Sequence, residues 1–213
     1  MSNQWTSAIH HEETLEIVAD TRSPDPHQGT FSKNVLGFWL YLMTDCLLFA
    51  SLFSTYAILH NRRFGGPGPA DIFSLPLAFS ETMILLLSSL TCGLAILSSL
   101  KQKKKEVILW LGLSFLLGAS FVAMELNEFN QLLDEGFNWR VSAFLSSYFT
   151  LVGTHGLHVV IGLLWMSVII AQLIWQGIHV DTFRRLIIFS LFWHFLDVVW
   201  IFIFTFVYLM GVI

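Results

Sequence analysis

The sequence predicts an all-α polytopic membrane protein: five transmembrane helices in a bundle, with the amino terminus cytoplasmic and the carboxyl terminus periplasmic. Three observations carry this. Of 213 residues, 55% are hydrophobic and only 12% are Asp, Glu, Lys or Arg, whereas a soluble domain carries roughly 25% charged residues. Mean hydropathy is +0.68. The apolar residues also gather into five runs, and a helix needs about 20 such residues to cross the hydrocarbon. This composition excludes a soluble enzyme, a nucleic-acid binder and a disordered chain. The net charge of −4 says little about partners.

Residues 1–34 read as a polar cytoplasmic tail, with five acids, two bases and three histidines. The tail lacks the apolar core of a secretory signal, and Pro24-Asp25-Pro26 marks a turn. Residues 35–213 form the transmembrane domain. Its spans are expected at 35–59, 76–100, 107–126, 141–175 and 186–212. The fourth run is the longest, with no acid or base between Arg140 and Asp181. Two short spans turning at Gly153-Thr154-His155-Gly156 would just fit, but one long, tilted or protruding helix is the better expectation. Cys46 and Cys92 lie inside apolar runs, which argues against a disulfide framework or a CxxC redox site.

Lys and Arg set the direction. With the amino terminus inside, Arg22, Lys33, Lys101, Lys103, Lys104, Lys105, Arg184 and Arg185 are inner, while Arg62, Arg63 and Arg140 are outer. Eight against three follows the positive-inside rule. The Lys101–Lys105 cluster reads as a topology anchor rather than a lipid-specific site. Trp110, Trp139, Trp175 and Tyr208 fall near span ends, where aromatic belts form. The abundant aromatics read as lipid-facing bulk rather than a quinone pocket.

Few ionisable groups remain within the spans, and each costs several kcal/mol unless it faces the bundle and finds a partner. They are Asp45, Glu81, Glu125, Glu128, His155, His158, His194 and Asp197. Counting about 1.5 Å per residue places Glu81, Glu125 and Glu128 together near the outer surface. Asp45, His155, His158, His194 and Asp197 fall nearer mid-membrane. The sequence therefore predicts an outer carboxylate layer and a central Asp/His layer. His155 and His158 are i, i+3 and share a face, as do His194 and Asp197. Trp193, Asp197 and Trp200 form one stripe that should face the bundle, with His155 or His158 as the expected partner of Asp197. Ser114, Gly118, Ala119, Ala123 and Gly153 suit close helix packing. Taken alone, these groups admit interhelical hydrogen bonding, proton or ion handling, or a metal or di-His haem site. A free-standing small proton or ion transporter using the Asp/His layer is one reading of them. A di-His haem b membrane cytochrome is another.

Five stretches, in order, resemble subunit III of the haem–copper respiratory oxidases. WHFLDVVW at 193–200 resembles the family's last-helix motif. GFWLYLMTDCLLF at 37–49 resembles the helix whose buried acid is usually glutamate; here it is Asp45. ETMILLLSS at 81–89 resembles NTxxLLxSS, with Glu81 in place of asparagine. GASFVAMELNEF at 118–129 resembles GxxFxxxQxxEY, with Glu125 replacing glutamine and Glu128 matching the family acid. GTHGLHVVIG at 153–162 resembles GxHGxHVxxG. The similarity covers about 35–213. Many members have seven helices; this chain lacks the first two, a form similar to the bo-type ubiquinol oxidase branch.

The resemblance implies an accessory subunit of a proton-pumping quinol oxidase in the bacterial inner membrane, serving assembly, stability and lipid packing. It implies no catalytic, cofactor-binding or metal residue in this chain. Haem and copper are expected in subunit I, the direct partner. Subunit II and a small subunit IV are expected in the same complex, with membrane phospholipids around it and no nucleic acid. The choice of quinol as electron donor rests on resemblance alone.

Overall fold

The computed structural model describes residues 26–60, 75–137 and 141–209. The tail through Asp25, the loop carrying Arg62 and Arg63, Trp139 with Arg140, and the end of the last expected span lie outside the described residues. Five long helices follow in order: α1 (Pro26–Leu59), α2 (Leu75–Leu100), α3 (Lys104–Asp134), α4 (Ala143–Gln176) and α5 (Val180–Ile203). A π-helical stretch, Phe204–Leu209, prolongs α5. All five are long and apolar enough to cross a membrane, and no strand occurs among the described residues.

The helices outrun the apolar stretches that seed them. α1 begins at Pro26, a first-turn position where proline's fixed φ and missing N–H cost nothing. α3 continues through the polar segment to Asp134. Apolarity ends where the hydrocarbon ends, but a helix continues until something stops it. α4 is one unbroken helix of 34 residues, about 51 Å at 1.5 Å per residue, so it protrudes or tilts as expected.

The stops are local. After α3, Gly136 takes φ +86°, its N–H bonds the Leu133 carbonyl, and the Phe137 N–H reaches back to Leu132. This pair of bonds is the Schellman closure, which needs a left-handed residue after the cap. The same pattern ends α2, where Gln102 N–H bonds Ser99 and Lys103 N–H bonds Ser98. Here a non-glycine, Gln102, takes φ 56°. Ser142 caps α4 by accepting the Leu145 N–H at 3.1 Å, as serine does at an N-cap.

The chain divides into two compact units, 1–41 and 42–213. In the first, the described part is helical and Phe38 leans on Tyr41. In the second, α2, α3, α4 and α5 pack each on the next, and α5 closes on α2 to complete a ring. The remainder of α1 lies against this ring through aromatics: Phe49 on His158 and Phe195, Phe53 on Phe202 and Phe206, and Tyr56 on Phe144.

Candidate functional site

The stripe predicted on α5 faces the bundle: Trp193, Asp197 and Trp200 are all buried. Each indole spends its N–H on α2. Trp193 Nε1 donates to Ser88 Oγ at 3.2 Å, and Trp200 Nε1 donates to Thr82 Oγ1 at 3.1 Å. Ser88 and Ser114 in turn exchange bonds, each hydroxyl donating to the other's backbone carbonyl at 3.0 and 2.8 Å. Trp193 itself fits because two helices withdraw from it. A Cβ on Gly118 of α3 would stand 3.0 Å from its ring, and one on Gly162 of α4 would stand 2.8 Å away. One side chain thus gathers all four ring helices. Of the small residues expected at interfaces, Ser114 and Gly118 play that part, whereas Ala123 is exposed.

The three glutamates come together in one layer. Glu81, Glu125 and Glu128 are buried and within electrostatic reach of one another. Tyr148 donates to Glu128 at 3.1 Å, and Tyr208 lies 3.0 Å from the Tyr148 oxygen and 3.4 Å from both Glu128 oxygens. Tyr208 is therefore a core residue, not the belt residue its position suggested. The π-helical stretch carries it, and such wider turns change which side chains point inward. Glu125 lies over Gly156 of α4, where a Cβ would stand 2.7 Å from its carboxylate. Glu81 is fully buried, with no hydrogen-bond partner among the described residues.

The central layer divides in two. His158 pairs with Asp45, its Nε2 3.9 Å from Oδ2, and its Nδ1 is 2.7 Å from the Thr154 carbonyl. His155, one turn earlier, is fully buried. It packs at 5.3 Å on Trp200 and edge-on to Phe121 at 6.0 Å, and neither ring nitrogen has a hydrogen-bond partner among the described residues. Asp197 does not take either histidine as its hydrogen-bond partner, contrary to expectation. Its neighbour on α2 is Ser89, whose hydroxyl lies 2.6 Å from His194 Nδ1. Depth alone suggested the wrong pairing, because helix rotation decides it: His158 faces α1 and Asp197 faces the seam with α2. Among the described residues, no three of His, Cys, Asp or Glu are placed to hold one metal ion.

Sequence reasoning missed Ser88, Ser89, Thr82 and Tyr148. The signal was present. A hydroxyl at mid-span must bond its own backbone or a neighbouring helix, and Thr82 and Ser89 stand i, i+7 on one helix face.

Residues 3–212 match the family described as cytochrome c oxidase subunit III. Cytochrome bo(3) ubiquinol oxidase subunit 3 of Pseudomonas aeruginosa is 59% identical over 179 residues, covering 84% of this chain and 86% of that protein. Quinol oxidase subunit 3 of Bacillus subtilis is 47% identical over 193 residues, covering 90% and 95%. Cytochrome c oxidase subunit 3 of Bacillus sp. strain PS3 is 43% identical over 206 residues, covering 96% and 100%. With a family match over nearly its whole length and the bundle just described, this chain belongs to the cytochrome c oxidase subunit III family.

Proposed function

We propose that this chain is the accessory subunit III of a ubiquinol oxidase, a multi-pass protein of the bacterial inner membrane. Relatives named as quinol oxidase subunits support the donor. The free-standing transporter reading gains no support from them. The observation that carries an accessory role is how the polar groups are used. Trp193 with Ser88, Trp200 with Thr82, and Glu128 with the two tyrosines bond helix to helix within the chain. Groups engaged this way fix packing in a medium where unpaired polar groups are costly.

In this reading, Asp45, Glu81, Glu125, Glu128, His155, His158, His194 and Asp197 are structural polar groups of the bundle, with no catalytic, cofactor or metal role. Haem and copper belong to subunit I, the direct partner. Subunit II and a small subunit IV complete the assembly, with phospholipid around it. The amino terminus lies in the cytoplasm and the carboxyl terminus in the periplasm, supported by the eight-to-three division of Lys and Arg.

The test is affinity purification of the tagged, full-length chain in a gentle detergent. Haem-bearing polypeptides and ubiquinol oxidation should co-purify with it. Purification of the chain alone, without haem, would overturn the reading.

A further inference from the structure

Asp45 is buried in the middle of a span that runs from Lys33 to Leu59. It lies 12 residues from one end of that span and 14 from the other. At 1.5 Å per residue, that is about 18 Å or more from either end, deep in the hydrocarbon. An acid at this depth needs a partner. No Lys or Arg occurs in 42–59 or in α4. What stands opposite is His158, its Nε2 3.9 Å from Asp45 Oδ2. That oxygen has no hydrogen-bond partner among the described residues.

The other nitrogen of His158 fixes its tautomer. Nδ1 lies 2.7 Å from the Thr154 carbonyl. A carbonyl only accepts, so Nδ1 carries a hydrogen and donates it. A neutral imidazole has a single N–H, and an ionised carboxylate has none to give. A neutral His158 and an ionised Asp45 would therefore face each other lone pair to lone pair. One added proton removes the conflict. On Nε2 it sets an imidazolium against a carboxylate. On Oδ2 it makes an acid that donates to Nε2.

The neighbouring helices supply no fixed cation in its place. Phe49, one turn along from Asp45, packs on His158 at 5.3 Å, on His155 at 6.4 Å and on Phe195 of α5 at 6.5 Å. His155 is thus the second titratable group beside Phe49, and it is a histidine too. Otherwise α5 meets α1 through Phe202 and Phe206, while His194 and Asp197 lie by Ser89 of α2. On α3, Glu125 lies over Gly156. Cys46, next to Asp45 in the chain, is exposed.

We propose that Asp45 and His158 hold one proton between them, and that this proton fastens residues 42–59 of α1 to α4. The fastened state binds the proton, so raising the pH loosens the segment. The proposal concerns contacts within one chain and does not depend on the complex that the chain joins.

The test uses the full-length chain with isotope-labelled histidine in a lipid bilayer, read by solid-state NMR of the ring nitrogens. The His158 signals are those lost in His158→Ala. Nε2 should report a bound or shared proton, and Asp45→Ala should return it to a bare acceptor. A bare Nε2 in the unaltered chain would overturn the proposal. So would a protonated Nε2 that persists in Asp45→Ala.

Amide exchange of 42–59, taken relative to α4 in the same sample, tests the fastening. Asp45→Ala should raise this ratio by about three-fold or more, the scale of one intramembrane hydrogen bond. Asp45→Asn should stay near the unaltered value, because its amide N–H donates to a neutral Nε2 with no added proton. At the pH where the Nε2 signal shows the proton gone, the unaltered chain should exchange like Asp45→Ala, and Asp45→Asn should not change. Exchange in α2 and α3 should stay constant throughout. A ratio in the unaltered chain that does not move across that transition, or Asp45→Asn as loose as Asp45→Ala, would also overturn the proposal.

Discussion

The indole of Trp193 lies so close over Gly162 that a Cβ on that glycine would stand 2.8 Å from the ring. The ring cannot withdraw easily. Phe189 stacks against it at 5.7 Å, Gly118 bounds it on α3, and its N–H is held by Ser88. Gly162→Ala should therefore destabilise the chain by about 1–3 kcal/mol, the usual cost of overpacking. Gly112 supplies the comparison. A Cβ there meets nothing within 4 Å, so Gly112→Ala should be neutral or up to about 1 kcal/mol stabilising, because alanine is the better helix former. Unfolding of each variant by a denaturing detergent reads both. Equal stability of the two variants would show that Trp193 is not clamped.

The Ser88–Ser114 exchange makes a second prediction. Ser88→Ala removes the hydroxyl's bond to the Ser114 carbonyl and leaves the buried Trp193 N–H without its acceptor. Loss of a buried partner costs about 1–3 kcal/mol. Ser114→Ala leaves that indole bond intact and should cost less. The double variant should fall short of the sum of the singles, since both remove the contact between the two hydroxyls, 3.1 Å apart. Strict additivity would contradict the shared network.

Residues 42–59 of α1 touch the ring of helices through the Asp45–His158 pair and a few aromatic contacts, and most of that segment is exposed. Local opening is easiest where buried contacts are fewest. Amide exchange in a detergent-solubilised preparation should therefore be faster in 42–59 than in α4. Asp45→Ala and Phe49→Ala should each accelerate it further, without changing exchange in α2 or α3. A simultaneous rise across all helices would mean that α1 is integral to the core.

The five helices and the two polar layers were legible in the sequence for a simple reason. Apolar run length is set by bilayer thickness, and depth along a helix follows from counting residues. Trp193, Asp197 and Trp200 could be placed on one buried stripe because only helical spacing was needed. The pairings were not legible. Whether Asp197 meets His155 or Ser89 depends on how two helices are rotated, and residue counting is blind to that. Tyr208 was assigned to the membrane surface because it sits near a span end; the π-helical stretch turns it inward to Glu128. Gly162 gave no periodic signal, since what makes it necessary is an indole on another helix.

Asp197 yields the last prediction. It is buried, and one oxygen has no hydrogen-bond partner among the described residues. Asp197→Ala takes a buried polar group out of the stripe that α5 turns toward the bundle. The damage should therefore appear in how the chain packs and is held. Retention of the chain in the oxidase should fall by more than initial turnover per haem, both measured on the same preparations. Asp197→Asn keeps an oxygen acceptor in the same place and should be milder, the difference being on the scale of one intramembrane hydrogen bond, about 0.6–2 kcal/mol. A structural role predicts that the complexes still containing the altered chain begin turnover at a normal rate. If Asp197→Ala is retained normally and turnover is abolished from the first cycle, then Asp197 handles protons for the reaction itself and its role is not structural.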